Sequence, residues 1–209
     1  MCCRYFIDDK ADELLPYFEE AEESPLAGKM TAKLSRPLVT SGEVRPTDMV
    51  PVIARNRAGG IGCFPMIWGY RQSGRPVFNA RTETAAQKPL FRDGWTSRRC
   101  IVPASCFFEW GPSASQDEES EKRVKYVIQP EGASVTWLAG IYRLEKEGDL
   151  TFPVFTILTK DAVGRMSEIH DRMPVMFPGE LIGSWIDPEA DPEKLLRHAV
   201  KNVFAEEAG

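Results

Sequence analysis

The sequence predicts an α+β fold dominated by strands, and three observations carry that expectation. A length of 209 residues with 43% hydrophobic and 27% charged positions suits one globular domain with a full core, taken as residues 1–209. Short apolar runs rich in β-branched and aromatic residues recur at 49–53, 64–70, 100–104, 124–128, 135–141 and 152–158, each bounded by turn residues, which is the mark of strands. Helical spacing, by contrast, is confined to a few segments near the two ends and the middle.

Bulk composition narrows the function. A net charge of -5 and a pI near 5.3 argue against coating nucleic acid by charge alone, though a local basic groove is compatible with them. No run reaches the ~18 apolar residues that span a bilayer, and the N-terminus meets Asp8, Asp9 and Asp12 without an apolar signal segment. The expectation is a cytoplasmic protein without a membrane. Five cysteines, Cys2, Cys3, Cys63, Cys100 and Cys106, are an odd number without a secretory signal, which favours reduced thiols. With no Cys-x-x-Cys pair, and with His170 and His198 far from most cysteines, neither a metal nor a cofactor is expected.

Taken in order, residues 9–23 set Leu14, Leu15, Tyr17 and Phe18 among acids, which predicts a short amphipathic helix beginning near Pro16. The stretch 24–44 is mixed, with an extended piece at 37–39 and a turn at Gly42. Residues 49–53 read as a strand whose hairpin closes at 56–60, and 64–70 as the next strand. Trp68 beside Gly69 fits either core packing or a stacking platform. Residues 84–91 look helical. Arg92, Arg98 and Arg99 then flank Trp95, a pattern that could hold a phosphate backbone and stack a base, or pair with carboxylates.

Glu109 stands inside Cys106-Phe107-Phe108-Glu109-Trp110-Gly111, where apolar neighbours raise a carboxyl's pKa if it is buried. Residues 113–123 read as an exposed loop. The runs 124–128, 135–141 and 152–158 read as strands of one sheet, two of them joined at a turn of residues 147–149. Residues 161–168 read as a helix that delivers His170, Asp171 and Arg172, pinned by Pro174 and suited to proton transfer or phosphate contact. Residues 181–186 and 192–204 read as closing helices, with His198 inert on the second.

The chemistry that stands apart is at the start. Once Met1 is removed, Cys2 carries an α-amino group titrating near pH ~8 and a thiol near ~8.5, both partly deprotonated around neutrality. Such a 1,2-aminothiol attacks an aldehyde with nitrogen and closes a five-membered thiazolidine with sulfur. The same letters also fit small residues at a frayed end.

Together, Cys2 with Arg4, Trp68-Gly69, Asn79-Ala80-Arg81-x-Glu83, the run from Arg98 to Ala104, Phe107-Phe108-Glu109-Trp110 and His170-Asp171-Arg172-Met173-Pro174 resemble the SRAP family, the SOS response-associated peptidases. The resemblance implies a β-rich, barrel-like, mostly antiparallel sheet with flanking helices. It also implies an abasic-site sensor for single-stranded DNA that forms a covalent thiazolidine crosslink through Cys2 after self-removal of Met1, within the DNA damage and SOS response. By the same resemblance Asn79 holds the N-terminus or the sugar, Glu109 acts on the amino group and on ring opening, and His170 shuttles protons. Arg4, Arg81 and Arg172 match phosphate contacts, and Pro46, Trp68 and Thr159 line the DNA path. A nucleoid-associated monomer with no obligate protein partner is expected. Where the family usually has glycine this chain has Cys3 and Cys106, and Phe108 stands for the usual tyrosine. Two other readings fit the residues: a thiol peptidase acting in trans with Cys2 as nucleophile and His170 as base, and a noncovalent single-stranded DNA-binding module.

Overall fold

The computed structural model of the chain describes residues 3–8, 10–112 and 123–208. In chain order the first strands are β1 (Arg4–Ile7), β2 (Gly42–Val44), β3 (Met49–Arg55), β4 (Ile61–Trp68), β5 (Tyr70–Gln72), β6 (Arg75–Val77), β7 (Asn79–Arg81) and β8 (Arg99–Ala104). They continue as β9 (Cys106–Pro112), β10 (Arg123–Pro130), β11 (Thr136–Glu147), β12 (Leu150–Asp161), β13 (Arg172–Pro174), β14 (Met176–Phe177) and β15 (Val203–Glu207). The helices are α1 (Leu15–Glu22), α2 (Pro25–Leu34), α3 (Thr82–Ala85), α4 (Pro89–Ser97), α5 (Ile182–Ile186) and α6 (Pro192–Leu196).

Five strands close on themselves. β4 pairs with β3, β3 with β8, β8 with β11 and β11 with β12, all antiparallel, and β12 returns to β4 in parallel. Closure removes the exposed edges that an open sheet would present. The expected barrel-like, mostly antiparallel sheet is therefore present. Alternation along each strand divides its side chains between two cores: Val50, Val52 and Ala54 join one cluster, while Met49 and Ile53 join another with Trp95 and Trp185 of the helices.

The second sheet runs β15-β10-β9-β1-β2. Its inward residues, Tyr5, Ile7, Phe107, Tyr126 and Ile128, share the first cluster with the barrel residues Trp68 and Phe155. β1 lies inside this sheet, paired on one side with β9 and on the other with β2. The start of the described chain is thus held by hydrogen bonds on both flanks rather than left to fray.

Several sequence expectations change. Residues 124–128 belong to the second sheet as part of β10, not to the sheet of β11 and β12, because β10 pairs with β9 and β15. Residues 25–34, read as mixed, form α2, whose start is capped by the Ser24 hydroxyl accepting the Leu26 N–H at 3.3 Å with Pro25 in the first turn. The helix expected over 161–168 is a short 3₁₀ turn, Gly164–Glu168, since β12 runs on to Asp161. The helix expected over 192–204 stops at Leu196, and Val203–Glu207 is a strand because β10 offers an edge to it. The loop over 113–123 falls mostly outside the described residues.

Candidate active site

β1 sets the geometry of the site. Its antiparallel register with β9 pairs Arg4 with Phe108, Tyr5 with Phe107 and Phe6 with Cys106, so one further step along the ladder sets Cys3 across from Glu109. Strand alternation turns Cys3, Tyr5, Phe107 and Glu109 to the inward face. Glu109 is 4% exposed, and one of its oxygens accepts the Trp110 backbone N–H at 3.2 Å. Burial raises the Cys3 thiol pKa and the neighbouring Glu109 charge adds to the effect, so Cys3 stays a neutral thiol near pH 7. Cys2 lies outside the described residues.

A glycine lets the turn that carries His170 pack against β9. A Cβ on Gly111 would stand 2.7 Å from Ile169 Cγ2 and 2.8 Å from the Ile169 carbonyl oxygen, so only glycine lets β9 lie this close to the 169–170 turn. His170 follows directly, and its backbone N–H bonds the Met166 carbonyl at 3.0 Å. Its Nδ1 accepts the Arg172 backbone N–H at 3.0 Å and also lies 2.6 Å from Asp171 Oδ1. These two contacts require different protonation states: a bare Nδ1 accepts from Arg172, whereas a protonated one donates to Asp171. A ring nitrogen that can serve as acceptor or, when it carries a hydrogen, as donor is suited to passing a proton.

Asn79 heads β7, which runs parallel to β12 with Asn79 beside Ile157. It is tied to β1 through a chain of rings. Trp68 Nε1 donates to the Phe78 carbonyl at 2.8 Å, its ring meets Phe78 edge-on at 6.1 Å and Tyr5 at 5.3 Å, and it stacks on Phe155.

That arrangement corrects the expectation for Trp68, which is fully buried and cannot line a DNA path. Gly69 makes the placement possible: at φ +120° it turns the chain out of β4 immediately after the indole. Three further expectations change likewise. Thr159 is fully buried beneath Arg172. Arg172 is 6% exposed and its guanidinium is committed to Glu83 at 2.8 and 3.0 Å, to Asp161 and to the Thr159 carbonyl, which raises its pKa, mainly through the Glu83 hydrogen bond. It organises β12, β13 and α3 and is not open to a phosphate. Trp95 packs edge-on against Trp185 as part of the buried face of α4 and offers no stacking surface. Its neighbour Arg99 is equally buried, holding the Trp95, Trp185 and Ala190 carbonyls at 2.7 to 2.8 Å.

Arg81 and Arg98 are exposed and Pro46 half-buried. Arg4 is half-exposed, with its guanidinium 5.7 Å over the Trp110 ring and paired to Glu43. Glu43 also takes Lys125 at 2.7 Å and Arg45 at 3.3 Å; the Lys125 hydrogen bond, more than Arg4, pulls its pKa down to about 2. Sequence reading missed this hub, because Arg4 of β1, Glu43 of β2 and Lys125 of β10 are far apart in sequence and only Arg45 lies near Glu43 along the chain. It also missed the role of Gly111, whose only signal was its place after Glu109 and Trp110.

Fold and site together define a class: a closed barrel beside a second sheet whose strand β1 runs past a buried carboxyl, with the 169–170 turn packed on the neighbouring strand β9. The SOS response associated peptidase (SRAP) family matches residues 1–208, and the chain belongs to that family. It is 33% identical over 147 residues to the abasic site processing protein YobE of Bacillus subtilis, covering 68% of this chain and 64% of that one. It is 27% identical over 206 residues to the abasic site processing protein YoqW of the same organism, covering 93% and 84%. A crystal structure of a protein from Bacteroides thetaiotaomicron shares the fold with a TM-score of 0.76 at 20% identity, covering 100% of this chain and 92% of that one. Among the described residues no helix is long and apolar enough to cross a membrane.

Proposed function

We propose that this protein senses abasic sites in single-stranded DNA and captures them as a covalent thiazolidine on Cys2, once Met1 has been removed. The observation that carries the reading is the register of β1 on β9, which brings the residue bonded to Cys2 across from Glu109. The α-amine attacks C1′ of the ring-opened sugar, and loss of water gives an imine. The Cys2 thiol then adds to the imine carbon while the nitrogen takes up a proton, which closes the ring. Glu109, held away from water, takes a proton from the amine and returns one to the departing hydroxyl. His170 relays protons for sugar opening and Asn79 hydrogen-bonds the sugar or the terminus. Arg4 and Arg81 face phosphates, and Pro46 and Arg98 remain candidates for the strand's path. The names of the relatives YobE and YoqW, both abasic site processing proteins, agree with this substrate.

The test is intact mass of the purified protein before and after incubation with an oligonucleotide carrying one abasic site. The expected result is a chain lacking Met1 that gains the mass of the DNA less one water, with no adduct from Cys2→Ala. Equal adduct from Cys2→Ala, or a chain that keeps Met1 and still forms it, would refute the assignment.

A further inference from the structure

A cavity of about 660 Å³ opens away from the carboxyl site, a volume within the range of ligand pockets. Pro130 on its wall lies four residues along β10 from Tyr126, which pairs with Glu109, about 13 Å along the strand. The floor is apolar and carries one unsatisfied donor. Trp137 and Phe177 stand side by side across the β11–β14 ladder, with Pro178 next in the chain. Tyr17 meets the half-buried Trp137 ring edge-on at 6.0 Å, and the indole N–H has no partner among the described residues. A Cβ on Gly179 would stand 3.3 Å from Trp137 Nε1, so a larger residue there would cover the donor that glycine leaves open. An indole N–H that is partly buried ordinarily finds an acceptor, and this one is left for a group that enters the cavity.

Charge gives the cavity a direction. The 131–134 turn crosses it: at one end the Glu131 N–H bonds the Asn202 carbonyl at 3.2 Å, and at the other the Ser134 hydroxyl donates to Glu13 Oε2 at 3.0 Å. Three residues span at most about 11 Å. Lys201 stands at the first end, and Lys160 close by donates to the Val200 carbonyl at 2.9 Å. Burial first, and then the Lys201 charge, lower the Lys160 pKa, and neither amine has an ion pair among the described residues. Within the turn, the N–H groups of Gly132 and Ser134 bond no other backbone group among the described residues. Glu13 and Glu131 on the wall disfavour a phosphate chain, which repeats its negative charge along its length. What these features fit is a ligand with one negative end, an apolar body, main-chain acceptors and a positive group within about 11 Å. An extended peptide has that form when it ends in a free carboxylate on an apolar residue and carries a basic residue two places earlier.

We propose that this cavity binds the C-terminus of a partner protein as an extended peptide, with its carboxylate at Lys201, its last apolar side chain on Trp137 and a basic side chain toward Glu13. The site is separate from the chemistry at Cys2. It brings a second protein to this one without covering the Glu109 end of the sheet.

The experiment measures fluorescence anisotropy of the peptide fluorescein-Gly-Gly-Lys-Val-Leu with a free carboxylate, of the same peptide as its carboxamide, and of a version with Glu in place of Lys. The parent protein should bind the first saturably and the carboxamide about 10- to 150-fold more weakly, the loss of one hydrogen bond to a charged group. The Glu version should bind more weakly as well. Lys201→Gln, an exposed change, should bind carboxylate and carboxamide alike, because the partner that tells them apart is gone. Gly179→Leu should occlude the floor and bind neither. Both variants should give the parent's adduct yield with abasic DNA. No saturable binding by the parent, equal affinity for carboxylate and carboxamide, or a preference that survives Lys201→Gln would each overturn the proposal. Displacement of the peptide by oligodeoxythymidine would assign the cavity to nucleic acid and overturn it too. Absence of DNA adducts from the parent would be a failure of the proposed function and would leave this cavity untouched.

Discussion

Replacing Gly111 by alanine tests the contact that joins the carboxyl to the imidazole. The added Cβ would stand 2.8 Å from the Ile169 carbonyl oxygen and 3.1 Å from Ile169 Cα, as well as 2.7 Å from its Cγ2. An ordinary carbon to carbonyl oxygen contact is about 3.3–3.6 Å, so the two segments must part by about 0.5–0.8 Å. Cγ2 can turn aside; the carbonyl belongs to the backbone and cannot. Overpacking of this kind costs about 1–3 kcal/mol, and the backbone clash argues for the upper end. For a chain of this size each kcal/mol lowers Tm by about 2–4 °C, so Gly111→Ala is expected to melt about 6–12 °C below the parent. Because the same parting moves His170 from Glu109, and a misplacement of about 1 Å can cost about 100-fold in rate, the single-turnover rate of adduct formation should fall on the order of tenfold. A melting curve and a gel-shift time course read the two effects. Parental Tm together with the parental rate would refute the claim that β9 and the 169–170 turn need a glycine between them.

Two further outcomes follow from charge. Glu43 has a folded-state pKa near 2 against an ordinary value of 4.5, so its ion pairs contribute fully above about pH 4.5 and are lost as pH falls from there toward 2; Glu43→Gln should flatten the dependence of Tm on pH within that window and change it little above pH 6. Burial raises the thiols of Cys3 and Cys100 and pushes Cys63 to about 12 and Cys106 to about 11, so iodoacetamide at pH 7.5 should modify one site quickly, Cys2, as read by peptide mass spectrometry; rapid labelling of Cys3 would show that its thiol is not shielded as described.

What could be read from the letters differs by the range of the force involved. Strands were legible because a two-residue period is local, and so was the hairpin at 56–60, where Asn56 N–H bonds the Gly60 carbonyl at 2.8 Å. Sheet membership was not: whether 124–128 joins the barrel depends on β9 and β15, partners far away in sequence. The same holds for Val203–Glu207, whose apolar residues read as helix until an open strand edge claimed them. α2 did carry a local signal, Ser24 before Pro25, that mixed composition obscured. At the site, residue types pointed to Glu109 and His170 as acid-base groups, but nothing in a linear reading could show that Trp68 and Thr159 would be sealed in the core or that Glu83 and Asp161 would claim Arg172. A guanidinium reads alike whether it awaits a phosphate or already holds two carboxylates.

β1 runs between two partners, with hydrogen-bonded ladders to β9 and β2. A pull on its beginning directed along the strand loads both ladders in shear, so many bonds must yield at once instead of unzipping singly. A terminus bonded to a DNA strand under tension would be moored by the whole sheet, and the tether would resist extraction along its own axis far better than peeling from the side.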